Sequence, residues 1–233
     1  MKSPKYFRIT DYDRALLPNK LLRNLEKGVG SESEWVEKTG LSPGHPAWGI
    51  IYHVVLACLH PAGENNILET GTNWASSTIV LAQAIRDAGR GGKVYTIELD
   101  PKNYAKAKRR VARAGLEDLV EFHLGASETV LPELAPQLSS IRFAYLDGGH
   151  ELETVIAEFS AIEKKLTPGA VVMMDNTYPI TEPGETARVS EALKEIVRIF
   201  GGSVVNLPFV SWYTPGLAMW QKDGLEVFEN LGV

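Results

Sequence analysis

The sequence predicts an α/β protein: a doubly wound, mostly parallel sheet of seven strands preceded by a helical extension. Three observations carry that expectation. From Asn65 onward short β-rich runs alternate with helical periods. Those runs are apolar almost throughout, as strands buried on both faces should be. The helical periods, in turn, stop at Gly and Pro signals.

The elements follow in order. A helix is expected around Tyr12–Lys27. A polar stretch comes next, in which Ser31 and Glu34 form a capping box ahead of Trp35-Val36. An apolar helix is then expected around Ala47–His60, so residues 1–64 read as a helical extension or lid and 65–233 as a single domain. Strands are expected at Asn66–Thr70, Lys93–Leu99, Val120–Leu124, Ile141–Leu146 and Ala170–Met174, with two more near Ser203–Leu207 and Leu217–Gln221. A helix should start at about Trp74 or Ala75, and Asp100-Pro101 reads as an N-cap followed by Pro at the first helical position. Leu152, Val155, Ile156, Phe159, Ile162 and Leu166 recur at helical spacing until Thr167-Pro168-Gly169 stops them. Val189, Ala192, Leu193, Ile196, Val197 and Phe200 share another face, which ends at Gly201-Gly202.

Composition narrows the function classes. The chain has 233 residues, with 24 basic and 29 acidic side chains and a formal net charge of -5, which argues against a dedicated nucleic-acid binder. Hydrophobic residues are 44% and charged residues 23%, excluding a disordered chain. Cys58 is the one cysteine, so no intramolecular disulfide can form and a reducing compartment fits. The most apolar run, Ile50–Leu59, is far shorter than the roughly 20 residues needed to cross a bilayer, and the first 20 residues lack the apolar stretch of a targeting segment. The expectation is a cytoplasmic protein that acts on neither membrane nor nucleic acid. The basic run Lys102–Arg113 reads as a solvated helix face.

In an open parallel sheet, ligands bind beyond the carboxyl ends of the strands. The first expected strand ends in Glu69-Thr70-Gly71-Thr72-Asn73, where Gly71 allows a tight turn or a close ligand approach; a simple turn is the plainer alternative. The second ends in Glu98-Leu99-Asp100. With Asp100 assigned to the cap, Glu98 is free to take both hydroxyls of a ribose. The fourth ends in Asp147-Gly148-Gly149-His150 and the fifth in Asp175-Asn176. If those strands are neighbours, two carboxylates and a carboxamide meet at one edge, an arrangement that calls for a proton or a cation, and oxygen donors suit Mg²⁺, Mn²⁺ or Ca²⁺. The alternative is that Asp147 caps a helix and Asp175 closes a turn.

The stretches ILETGT, VYTIELD, AKAKRRVARAGL, FHLGASETVLPEL, YLDGGH and LTPGAVVMMDN, in that order and spacing, resemble the class I S-adenosylmethionine-dependent methyltransferases. Most similar is the metal-dependent, catechol O-methyltransferase-like branch that acts on small molecules. The resemblance runs from about Asn65 to Lys222 and implies a seven-stranded Rossmann-like sheet with S-adenosylmethionine over its first half. It further implies that Glu69, Gly71, Thr72, Asn73 and Ser77 lie at the methionine end, Glu98 and Leu99 at the ribose, and Ala126 and Ser127 along the adenine, with Asp147 also bordering the cofactor. Asp147, Asp175 and Asn176 fall on the metal ligands of that branch. Its usual base, a Lys three residues after the first metal Asp, is His150 here, and a Gly common in relatives is Ala75.

The function expected is therefore methyl transfer from S-adenosylmethionine to a hydroxyl of a phenol, catechol, sugar or natural product. A bound Mg²⁺ or similar dication, Asp147 and His150 would assist removal of the proton. Metal-independent O- or N-methyl transfer and an NAD-binding oxidoreductase are the alternatives, the latter opposed by the missing G-x-G-x-x-G. An RNA methyltransferase is opposed by the net charge. Trp74, Tyr178, Trp212 and Tyr213 could wall an apolar substrate, and a homodimer through the N-terminal helices stays open beside a monomer.

Overall fold

A computed structural model describes residues 47–61, 64–177, 187–207 and 216–222. The helix expected at Tyr12–Lys27, the capping box of Ser31, and the aromatic residues Tyr178, Trp212 and Tyr213 lie outside the described residues. In chain order the elements are α1 (Ala47–Cys58), β1 (Asn66–Thr70), α2 (Ser76–Ala88), β2 (Lys93–Glu98), α3 (Pro101–Arg113), β3 (Val120–Leu124) and α4 (Ser127–Leu134). Then come β4 (Ile141–Leu146), α5 (Leu152–Ile162), β5 (Leu166–Asp175), α6 (Val189–Phe200), β6 (Ser203–Leu207) and β7 (Leu217–Gln221).

The seven strands form one sheet in the order β3-β2-β1-β4-β5-β7-β6. β1 to β5 run parallel, and β7 enters antiparallel between β5 and β6. The order reverses at β1, where β2 pairs on one side and β4 on the other. That is the crevice where an open sheet binds its ligands. Parallel strands need crossovers, and α2, α3, α4 and α5 supply them.

The strand pleat divides the core between the two sheet faces. Ile67, Phe143, Tyr145, Val171 and Met173 pack with Ile51, Tyr52 and Val55 of α1 and with Leu81 and Ile85 of α2. Their chain neighbours Leu68, Ala144, Leu146, Val172 and Met174 point the other way, against Val155 and Phe159 of α5 and Leu193 and Ile196 of α6. Strands buried on both sides need apolar residues at successive positions, which is why these runs do not alternate.

Several boundaries differ from the sequence expectation. β5 begins at Leu166, not Ala170, because α5 stops at Ile162 and a single 3-10 turn, Glu163–Lys165, delivers the chain to the sheet. Leu166 is therefore a strand residue. The Thr167-Pro168-Gly169 stretch is tolerated inside the strand because the β4–β5 register shifts between Ile141 and Phe143. β2 ends at Glu98, leaving Leu99 outside it and 70% exposed. α1 stops at Cys58, two residues short of His60. In α6, Val197 is exposed on the margin of the apolar face. Among the described residues no helix is long and apolar enough to cross a membrane.

Candidate active site

The chain leaves β1 at Thr70 and makes a tight loop to α2. Gly71 has φ +79°, and a Cβ there would overlap the backbone carbonyl of Asp147, so only glycine lets β1 and the turn after β4 approach this closely. Gly71 and Thr72 both donate backbone N–H groups to the Ile97 carbonyl of β2. Asn73 and Ala75 also have positive φ, 45° and 64°. Ala75, in the left-handed conformation, occupies the cap position of α2, which starts at Ser76 rather than at Trp74 or Ala75. Trp74 turns away from the strand ends toward α3: its indole donates to Asn103, and the Lys106 ammonium lies over its ring. Arg110 of α3 donates to the Trp74 carbonyl, fixing the loop from behind.

Beneath this loop lies a network of hydroxyls around a buried acid. Glu69 is fully buried, and its Oε2 accepts from the hydroxyls of Thr78, at 2.5 Å, and Thr96, at 2.6 Å. Thr72 and Thr96 share a further hydroxyl hydrogen bond at 2.5 Å. Oε1 makes no hydrogen bond of ordinary geometry among the described residues. Burial pushes the Glu69 carboxyl up to about 7, partly offset by the hydroxyls of Ser77, Thr78 and Thr96. Glu69 thus braces the loop from below.

At the end of β2, Glu98 is buried, with Oε2 accepting the Asn73 N–H at 2.6 Å and Oε1 the Asp100 N–H at 2.8 Å. An ionised carboxylate has four acceptor positions, so each oxygen keeps capacity for a ligand hydroxyl. Asp100 caps α3, accepting from the N–H groups of Lys102 and Asn103, with Pro101 behind it as the sequence predicts. Leu99 and Leu124 follow or close neighbouring strands; they are 70% and 50% exposed and offer an apolar shelf. Ala126 sits at the cap position of α4 and Ser127 in its first turn.

The other half of the crevice is built from β4 and β5. Leu146 pairs with Met174, so the residues that follow, Asp147 and Asp175, leave neighbouring parallel strands side by side. Asp175 is fully buried: Oδ2 accepts from the Tyr145 hydroxyl at 3.0 Å and Oδ1 from the Asn176 N–H at 2.8 Å. Burial, and then the facing charge of Asp147, hold the Asp175 carboxyl well above the usual range. Asn176 has φ +57°, and its side-chain nitrogen lies 3.0 Å from His150 Nδ1 and 3.2 Å from Nε2. His150 Nε2 is 3.6 Å from Asp147 Oδ1. The structure therefore brings Asp147, His150, Asp175 and Asn176 into one cluster. His150 stands two residues before α5, since Glu151 takes the cap position and the helix starts at Leu152.

Two close acids in a desolvated corner need a proton or a cation between them. The oxygen donors of Asp147, Asp175 and Asn176 have the chemistry of a hard dication site. Among the described residues no three His, Cys, Asp or Glu side chains are grouped as a metal site; the set rests on two acids and an amide.

One residue of the site escaped the sequence reading. Glu158 on α5 is fully buried and accepts from Thr70 Oγ1 at 3.2 Å and from Ser127 Oγ at 2.5 Å. Its signal is the helical spacing itself: it lies three residues after Val155 and four before Ile162, on the apolar stripe, where a carboxylate has no ordinary reason to be.

The chain is similar to several known proteins. A family described as a methyltransferase domain matches residues 68–177. Catechol O-methyltransferase from Niastella koreensis is 30% identical over 112 residues, 48% of each chain. That from Mycobacterium tuberculosis is 34% identical over 110 residues, 47% of each chain. The chain thus spans about half the length of these two curated relatives. An O-methyltransferase structure from Bacillus cereus, solved with S-adenosylhomocysteine, superposes with a TM-score of 0.69 at 24% identity, covering 89% of this chain and 93% of the other; it attests the fold.

Proposed function

We propose that the chain is a class I S-adenosylmethionine-dependent methyltransferase that transfers a methyl group to a hydroxyl of a small molecule with the help of a divalent cation, a reading supported by the methyltransferase-domain match and the relatives above. The observation that carries this reading is the meeting of Asp147 with the buried Asp175 and with Asn176 at adjacent strand ends. The relatives named catechol O-methyltransferase support the choice of oxygen as acceptor.

Roles follow from position. The Gly71 loop and Glu69 shape the methionine end of the donor pocket, Glu98 takes the ribose hydroxyls, and Leu99 with the first turn of α4 flanks the base. Asp147, Asp175 and Asn176 would hold Mg²⁺ or a similar ion, which when bound lowers the pKa of a coordinated hydroxyl. His150, beside Asp147 and Asn176, is placed to receive the hydroxyl proton on a ring nitrogen. Holding the acceptor oxygen in line with the methyl group makes an encounter between two molecules an oriented one.

A second reading, metal-independent transfer, is favoured by one observation: both Asp175 oxygens already accept hydrogen bonds within the fold. Activity assays separate the two. Loss of methyl transfer in excess EDTA with recovery on adding Mg²⁺ supports the cation; full activity in EDTA removes it.

A further inference from the structure

We infer that Glu158 is a positioning residue for the adenosyl half of the donor site, a role that rests on the methyl-transfer reading above. Glu158 is fully buried, yet neither Lys nor Arg meets it in any hydrogen bond or ion pair of the described residues; hydroxyls do. Those hydroxyls come from distant points of the chain. Thr70 is the last residue of β1, immediately before the Gly71 loop, and Ser127 opens α4. Its third neighbour is backbone: a Cβ on Gly148, in the turn after β4, would stand 2.9 Å from Glu158 Oε1 and 3.1 Å from Thr70. One carboxylate thus sets the spacing of three segments that converge on the crevice where the sheet order reverses.

The arrangement also fixes what Ser127 can offer. Its hydroxyl donates to Glu158 at 2.5 Å, with Glu128 Oε2 a longer second acceptor at 3.4 Å, which leaves its oxygen lone pairs and backbone N–H to face a ligand. The Ser127 side chain is turned inward by Glu158 and is not free to rotate as an N-terminal serine usually is. Burial raises the Glu158 carboxyl to about 7, with both hydroxyls pulling it down, as expected of an acid retained in the core for the bonds it accepts.

The test is calorimetric titration with S-adenosylhomocysteine, together with steady-state kinetics, on the whole chain. Glu158→Ala should weaken S-adenosylhomocysteine binding by about tenfold or more, and the loss should fall on KM for S-adenosylmethionine rather than on kcat. Glu158→Gln should restore affinity to within about threefold, since its carbonyl accepts one hydroxyl and its amide donates to the other. Thr70→Val, which cuts one tie without adding volume, should weaken binding by roughly threefold and keeps the question open to measurement if the alanine variant does not fold. A folded Glu158→Ala variant with wild-type affinity, or Thr70→Val with wild-type affinity where the alanine variant does not fold, overturns the role of Glu158 alone. Wild-type protein that fails to bind S-adenosylhomocysteine overturns the methyl-transfer reading on which it rests.

Discussion

The two halves of the crevice handle buried acids in opposite ways. Around β1, β2 and α4, Glu69, Glu98 and Glu158 each accept two hydrogen bonds, from threonine or serine hydroxyls or from backbone N–H groups. Around β4 and β5, Asp175 also accepts two, but it faces Asp147 across adjacent strands, and that facing charge is the second largest cause of its raised pKa. A half whose acids are answered by neutral donors is braced before any ligand arrives, with Glu69 Oε1 and the spare acceptor positions of Glu98 left over. A half in which two acids confront one another is completed by what binds there. On the proposed function, the first half would recognise the donor and the second would carry the chemistry.

The largest effect should come from removing the confrontation. Asp175→Ala is expected to lower methyl transfer by about a thousandfold or more while S-adenosylhomocysteine affinity stays within about threefold, read by assay and calorimetry side by side. Affinity falling in step with turnover would dissolve the division between the halves. Next is Gly71→Ala, which strikes the contact joining them: positive φ and overlap with the Asp147 carbonyl together should cost about 3 kcal/mol or more of stability in chemical denaturation.

A smaller effect sharpens the first half. Glu69 and Glu158 are each raised from 4.5 to about 7 in the fold, so between those values the folded state holds more protons than the unfolded one. Their contribution to stability is therefore present at low pH and lost as pH rises from about 4.5 through about 7. Glu69→Gln, neutral throughout, should reduce this decline, and adding Glu158→Gln should flatten it further; Tm measured across that range gives the answer. Smallest is Tyr145→Phe, which removes one donor from Asp175 and should cost about 1 kcal/mol with no change in S-adenosylhomocysteine affinity.

Legibility in the sequence followed locality and not the divide between the halves. The strand spans were readable because apolar runs closed by Gly and Pro leave few alternatives, and the cap at Asp100 was readable because Pro101 is local chemistry. The insertion of β7 between β5 and β6 was not, because strand order in space is decided by pairing across the sheet. At the site, the Asp147 and Asp175-Asn176 positions stood out as acids ending apolar runs. Glu158 did not, since Glu on a helix is usually solvated and its burial depends on Thr70 and Ser127, 88 and 31 residues away in sequence. The start of β5 at Leu166 was hidden too: Pro168 and Gly169 read as a stop, and only a register shift against β4 lets a strand contain them.

Asn73, Ala75 and Asn176 are the three non-glycine residues with positive φ among the described residues, and every one of them lies in the crevice. Glycine at position 75 would relieve about 1 kcal/mol of that tension, but it would also delete a fully buried methyl from the core and loosen the unfolded chain, two costs of similar size. The same replacement would free the loop to sample other shapes. One alanine methyl thereby balances backbone strain against core packing and loop order.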